Sequence, residues 1–274
     1  MVIFMDKTSS QNNPLNKQII NDKLHTKIIG KDLIFLDTVS STNDYLKALA
    51  DNGCKNGTAV TSREQTKGKG RLGRKWVSEK DQNIILSFML QPQITPNKCL
   101  TITHLAGLSL CNAIRDFTGL DCKIKWPNDI IIGNKKLAGI LTEMKASAGK
   151  IDYVIVGIGI NVEQKIFPEE ISHKATSIIL ETEKSIDKNE LFVHILETLE
   201  ADFIRNNLEM TPSVLAEYTN LCATIGKTVT FSKGNESVCG KAVGIEQNGE
   251  LIVTINAGTS YTVGAGEVTV QGIY

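Results

Sequence analysis

The sequence predicts an α+β protein: a mixed sheet with packed helices, followed by a small β-barrel. Three observations carry that expectation. Helix and strand periodicities are interleaved from residue 31 to about residue 221. Near Cys222 the texture changes to short, closely spaced strands. The 274 residues, 41% hydrophobic and 22% charged, suffice for one large domain plus a small one.

The elements follow in order. Residues 1–30 are polar, with one amphipathic piece around Leu15–Leu24, and too few to fold alone; an arm or a docked helix is expected there. "LIFLDTV" reads as a strand. "SSTNDYLKALADNG" reads as a helix with Ser41 near its N-cap, Leu46 and Leu49 on one face, and Gly53 as the stop. "GTAVTS" and "NIILSFML" are strands. Apolar residues at 105, 108, 111, 114 and 117 give a helix that Gly119 ends. "CKIKWP" is a strand stopped by Pro127. Two apolar runs around Gly133-Asn134 form a hairpin, and "DYVIVGIGINV" is a buried strand. Asp187 and Glu190 stand at capping-box spacing before a helix with Leu191, Ile195, Leu199 and Phe203 along one face. Five short strands follow Cys222, with a hairpin turn at Asn248-Gly249.

Bulk charge excludes some classes. Thirty cations balance thirty anions, so no basic excess marks a dedicated nucleic-acid binder. The six cysteines show no C-x-x-C spacing and read as reduced thiols, mostly in the core. No apolar run is long enough to span a membrane, and "MVIFMDK" is too short a run for a signal peptide; a cytoplasmic protein is expected. His25, His104, His173 and His194 are scattered without metal spacing, and no G-x-S-x-G elbow or Ser-His-Asp set is evident.

The stretch "EQTKGKGRLGRKW" holds G-x-G-x-x-G at Gly68, Gly70 and Gly73, together with Lys67, Lys69, Arg71, Arg74 and Lys75. A dinucleotide fold would need a helix after these glycines, but "RKWVSEKDQNIILSFML" lacks helical spacing and runs into a strand. "GKT" at 226–228 fails the P-loop spacing, because Leu221 stands where the first glycine belongs. Glycines let backbone N–H groups close around a ligand, and interleaved Lys and Arg match phosphate oxygens. The competing reading is a solvated basic loop. Four further stretches follow the same pattern of being ordinary singly: "STND" (41–44) as a helix cap, "KWPND" (125–129) as a strand end with a core tryptophan, "KKLAGILTE" (135–143) as a plain strand, and "GIGINV" (157–162) as a packed one.

Together, these five motifs resemble the biotin–protein ligases in order and spacing, from about Leu33 to the C-terminus. The family loop reads GRGRRGRKW; here Lys69 replaces its first arginine and Leu72 its third. The resemblance implies a class II synthetase-like catalytic domain over 31–221 that binds biotin and ATP, and an SH3-like C-terminal domain over 222–274, behind the 1–30 arm. It implies an ATP-dependent, AMP-forming ligase that makes biotinyl-5'-AMP and passes biotin to a lysine of a biotin carboxyl carrier protein. Biotin and ATP are then substrates, and Mg²⁺ arrives with the ATP phosphates.

By the same resemblance Lys136 is the catalytic lysine. Arg71 and Lys69 neutralise carboxylate and phosphates, and Asp129 receives the incoming lysine or holds Mg²⁺. Ser41, Thr42, Asn43 and Gln65 face the ureido ring, while Gly68 and Gly70 let the loop close as a lid. Gly139, Gly157 and Gly159 leave room for the bicyclic head, and Asn161 lies on the nucleotide side. No side chain is expected as a dedicated metal ligand. The alternatives are a lipoate–protein ligase and a biotin-responsive transcriptional regulator. With "STND" beginning at residue 41, no DNA-binding domain is expected in front of it, and specific DNA binding and membrane association are not expected; a homodimer is left open.

Overall fold

The computed structural model describes residues 14–234, 236–255, 258–264, 266 and 268–274. Of the expected 1–30 arm, residues 1–13 lie outside the described residues. The rest begins with α1 (Lys17–Lys23), whose cap Asn16 accepts from Ile19 N. Next come β1 (Leu33–Val39), α2 (Thr42–Asp51), β2 (Ala59–Gln65), β3 (Asn83–Leu90) and α3 (Cys99–Thr118). A run of strands follows: β4 (Lys123–Lys125), β5 (Asp129–Ile132), β6 (Lys135–Ser147) and β7 (Lys150–Asn161). Then come α4 (Glu169–Ser172), α5 (Ile178–Thr182), α6 (Lys188–Asn206) and α7 (Pro212–Leu221). The chain ends with β8 (Thr228–Lys233), β9 (Glu236–Ile245), β10 (Leu251–Thr254), β11 (Ser260–Val263) and β12 (Val268–Val270).

Seven strands form one mixed sheet in the order β1-β2-β3-β7-β6-β5-β4; β1 and β2 run parallel and the other neighbours antiparallel. The residue alternation of these strands sorts the two faces. Ile84, Leu86, Phe88, Val156, Ile158 and Ile160 point into the main core with α3 and α6. Val60, Met89 and Ile155 point the other way and form a second core with Leu46 of α2. The cleft described below opens on that second face. α3 is buried along most of its length, from Thr101 to Ile114, and ends where Gly119 takes φ 74°.

The expected docked helix is α1. It packs on α6, with Asn16 N donating to Asn189 Oδ1 at 2.7 Å and Lys23 paired to Glu190 at 2.6 Å. The following turn is held by one carboxylate: Glu200 accepts from the backbone N–H groups of Lys27, Ile28 and Ile29. Asp187 caps α6 as its spacing predicts, accepting from Asn189 N and Glu190 N.

The small β unit is a five-stranded antiparallel sheet in the order β11-β10-β9-β8-β12, with Val229, Phe231, Leu251, Val253 and Val270 buried. It leans on the larger sheet through its Asn248-Gly249 turn. Trp126 Nε1 donates to Gly249 O at 3.0 Å, and a Cβ on Gly249 would lie 2.7 Å from the His104 ring. The chain enters this unit alongside β4, with Ala223 N donating to Ile124 O. All six cysteines are free; Cys111, Cys122 and Cys222 are buried, Cys54 and Cys99 are half-buried and Cys239 is exposed.

Candidate active site

Strand register lays the floor of the site. Asp129, Gly139, Gly159 and Ile85 stand side by side across β5, β6, β7 and β3. Two residues along, Leu141, Gly157 and Ser87 form the next row on the same face. Three glycines in a buried sheet remove the side chains that would otherwise fill this face, and neighbouring groups occupy the space. A Cβ on Gly159 would meet the Trp76 ring at 2.5 Å, one on Gly139 would meet Lys136 Nζ at 2.8 Å, and one on Gly157 would meet Asn43 Oδ1 at 2.1 Å.

One wall is the N-terminus of α2. Ser41 caps the helix, its hydroxyl accepting from Asp44 N. Thr42 and Asn43 are buried in the first turn. Gln65 at the end of β2 turns its Oε1 to Thr42 N (2.8 Å) and Thr42 Oγ1 (3.0 Å), so its amide NH₂ faces away from Thr42. Ser87 Oγ lies 2.7 Å from Thr42 Oγ1 and 2.6 Å from Asn43 Oδ1. Asn43 Nδ2 donates to Glu143 Oε2 at 2.7 Å, which fixes the orientation of that amide because a carboxylate only accepts.

The glycine-rich loop forms the roof. It joins β2 to the antiparallel β3, with a single 3-10 turn at Arg71–Gly73 and no long helix, which excludes the dinucleotide reading on topology. The loop closes on itself as a small hairpin: Gly70 N donates to Arg74 O at 2.7 Å and Trp76 N to Gly68 O at 3.0 Å. Leu72 sits at the tip with φ 57° and is 61% exposed, so the position where the family carries an arginine faces solvent.

The cations converge from two sides. Arg71 Nη1 donates to Asn128 Oδ1 at 2.8 Å and Arg71 Nη2 to Gly266 O at 3.2 Å, and burial pulls the guanidinium pKa below its usual value. Lys69 pairs with Asp44 at 2.6 Å, and that hydrogen bond raises its pKa. Lys136 pairs with Asp129 Oδ1 at 2.6 Å, and its Nζ stands 5.7 Å from the Trp76 ring centroid. Lys136 also sits at a backbone junction, its N–H on Lys174 O and its carbonyl on Thr176 N. Farther out, burial lowers the Lys125 pKa to about 8.

The resulting cleft, about 470 Å³ with its open mouth, is lined by Ser41, Thr42, Asn43, Gln65, Lys69, Gly70, Arg71, Lys136, Gly139, Gly157 and Gly159 of the expected set. Three expected residues stand off it. Gly68 stands at the base of the loop hairpin, where a Cβ would meet Trp76 O at 2.5 Å. Asp129 lies behind Lys136. Asn161 is buried farther along β7, its Nδ2 on Thr176 O at 2.9 Å. The cleft also takes Trp76, Asn128 and Ile85, which the motifs did not single out. Trp76 closed the quoted loop stretch and Asn128 sits between Pro127 and Asp129, so position inside a motif was the available signal. Among the described residues the buried Trp76 indole Nε1 has no hydrogen-bond partner.

Comparison with known proteins decides the family. Residues 35–161 match the Biotin/lipoate A/B protein ligase family and residues 224–270 the Biotin protein ligase C terminal domain. The bifunctional ligase/repressor BirA of Bacillus subtilis is 36% identical over 249 residues, 89% of this chain and 76% of its own length. The chain belongs to the biotin protein ligase family. A biotin–acetyl-CoA-carboxylase ligase of Mycobacterium tuberculosis is 31% identical over 262 residues, covering 93% of this chain and 95% of its own. The biotin protein ligase of Aquifex aeolicus, solved in complex with biotin and ATP, superimposes with a TM-score of 0.74 at 31% identity, over 88% of this chain and 99% of that one. Among the described residues no helix is long and apolar enough to cross a membrane.

Proposed function

We propose that this biotin protein ligase joins the biotin carboxylate to the α-phosphate of ATP, releasing pyrophosphate, and then passes biotin from biotinyl-5'-AMP to the ε-amine of a lysine on a biotin carboxyl carrier protein, releasing AMP. The observation that carries it is the meeting of Lys69, Arg71 and Lys136 at one cleft whose inner wall offers Ser41, Thr42, Asn43 and Gln65. Both steps crowd negative oxygens together, so positioned cations supply the main stabilisation, and no protein nucleophile is required.

The polar inner wall suits a ureido ring, which presents one acceptor and two N–H donors. Gly139, Gly157 and Gly159 leave the bicyclic head in contact with backbone. Arg71 and Lys69 neutralise carboxylate and phosphate oxygens, and Lys136, on the rigid β5–β6 hairpin, meets the charge that develops at the α-phosphate. Gly68 and Gly70 let the loop fold over the adenylate and keep water from it. Asn161, through Thr176, steadies the segment that Lys136 pairs with on the nucleotide side.

Magnesium belongs to the substrate, as MgATP. Among the described residues no three His, Cys, Asp or Glu side chains group to hold a metal. The Asp129 carboxylate is already shared between Lys136 and the Tyr274 hydroxyl. Asp129 is assigned to the incoming lysine, and Mg²⁺ is left to the ATP phosphates. Use of ATP as a substrate supports reading the enzyme as cytoplasmic.

The test is incubation with labelled biotin, MgATP and a biotin carrier domain. Label on the carrier and pyrophosphate release are expected; lipoate used in preference to biotin would replace this reading with the lipoate ligase. The C-terminal match over 224–270 to a biotin ligase domain favours biotin. A sequence-specific mobility shift strengthened by biotin and ATP would add a regulatory role that the balanced charge of the chain does not suggest.

A further inference from the structure

The last residues of the chain reach back to the catalytic hairpin. After β12, Gln271 N donates to Thr228 O at 2.9 Å, and Ile273 is buried at 2% exposure, which fixes where Tyr274 falls. The Tyr274 ring lies under Lys125, whose Nζ is 3.3 Å from the ring centroid and 3.4 Å from Ile273 O. The Tyr274 hydroxyl donates to Asp129 Oδ2 at 2.5 Å, while Asp129 Oδ1 stands 2.6 Å from Lys136 Nζ in an ion pair that lacks hydrogen-bond geometry. The preceding residue, Asn128, accepts from Arg71. One carboxylate thus stands between the C-terminal residue and the lysine that faces the cleft.

We propose that Tyr274 is a positioning residue: its hydroxyl pins the Asp129 carboxylate and, through the other oxygen, sets where the Lys136 ammonium stands at the cleft. A carboxylate turns with little resistance about its terminal torsion, so one oxygen cannot be aimed unless the other is held. Lys125 makes this matter, because it is, with Arg71, a further cation within electrostatic reach of Asp129. With Oδ2 held by the phenol and the Lys125 ammonium placed on the ring face, Lys125 is kept from drawing the carboxylate away. The hydroxyl also spares Oδ2 from needing a second cation. Lys136 is then left with one anchor, Oδ1, that it can share with an incoming phosphate.

This inference rests on the functional reading above for its kinetic part, so the experiment has one arm that does not. In Tyr274→Phe, the ring remains under Lys125 and only the hydroxyl is lost. Without MgATP, Lys136 is acylated by an amine-directed reagent and followed by mass spectrometry, with the exposed Lys150 as internal reference. Faster labelling of Lys136 relative to Lys150 is expected in the variant. In the second arm, biotin-dependent pyrophosphate release should fall about tenfold in kcat, the size of one hydrogen bond to a charged group, with KM for biotin and the melting temperature unchanged. In an Asp129→Asn background the same substitution should change neither readout further, since the group it acts through is gone. Equal labelling of Lys136 in wild type and variant overturns the proposal, as does an undiminished effect in the Asp129→Asn background. A lower melting temperature with a raised KM would mark a merely structural tail and also overturn it. If wild type forms no biotinyl adenylate, the functional reading fails, and the labelling arm still decides the role of Tyr274.

Discussion

Gly157 and Asn43 stand in direct apposition: a Cβ on Gly157 would fall 2.1 Å from Asn43 Oδ1. The contact sets the depth of the cleft, because it lets the first turn of α2 sink onto the sheet. Asn43 cannot yield freely, since Glu143 and Leu141 O hold its Nδ2 and Ser87 its Oδ1.

Gly157→Ala should therefore fold but displace Asn43 and spoil the inner wall. The expected outcome is a rise in KM for biotin by roughly tenfold to a hundredfold, the scale of an unpaired buried polar group, with a smaller loss in kcat. Steady-state kinetics with circular dichroism checks it. A variant with native KM would place the ureido ring elsewhere.

Lys136→Ala removes one cation from a largely buried pair, with side-chain exposures of 29% for Lys136 and 15% for Asp129. Stability should change by about 1 kcal/mol, because Asp129 Oδ2 keeps the Tyr274 hydroxyl and truncation at 136 opens the buried Oδ1 to water from the cleft. Adenylate formation should slow by about 10²–10³, the usual cost of losing one preorganised stabilising charge. Single-turnover pyrophosphate release measures this, and a wild-type rate would remove Lys136 from its assigned role.

Features decided by local contacts are legible in the sequence, and those decided by distant ones are not. Ser41 as cap, Gly119 as helix stop and the Asn248-Gly249 turn are short-range rules, and each appears where expected. The glycines of "KKLAGILTE" and "GIGINV" were legible as missing side chains. That Gly139 and Gly159 are neighbours across two strands came only from register. Helix α7 has a cap at Thr211 and an N1 proline at Pro212, but the apolar spacing behind them is too thin to mark a helix; Val214 and Tyr218 are its buried residues. Tyr274 and Ser87 were silent for a different reason. Each acts through a partner far along the chain, and nothing in its own neighbourhood announces that partner.

His104 makes the seam between the two sheets sensitive to acid. It is fully buried beneath the Gly249 turn, and burial lowers its pKa to about 4 from 6.5, with Arg71 adding a smaller push in the same direction. The folded form keeps the ring neutral, so between pH 6.5 and 4 the unfolded chain binds a proton that the folded chain does not. Stability from this group is thus complete above pH 6.5 and lost as pH falls toward 4, by at most about 3 kcal/mol. In His104→Gln this share of the acid dependence should vanish. Denaturant melts of both proteins across that window test it; parallel curves would mean that His104 does not titrate with unfolding.

Arg71 should matter more than Lys69, and the geometry separates their tasks. Arg71 spreads its guanidinium over two acceptors on different parts of the chain, Asn128 Oδ1 and Gly266 O. It thereby ties the roof both to the "KWPND" turn and to the small β unit. An ammonium holds a point and cannot span such a pair in a fixed plane. Lys69 instead rests on Asp44, an exposed partner at the head of α2, with 47% of its own side chain exposed. A pair of that kind contributes little and is readily exchanged. Arg71→Lys is expected to let the loop open and release biotinyl-adenylate faster, by about 1.5–3 kcal/mol in the dissociation barrier for a charge-assisted contact left imperfect. Lys69→Arg, which restores the residue the family carries there, should be near neutral or mildly tighter. Rapid dilution from labelled biotinyl-adenylate reads both rates. If Arg71→Lys holds its adenylate as long as wild type, or if Lys69→Arg is the damaging change, the roof is carried by Lys69 and Asp44 instead.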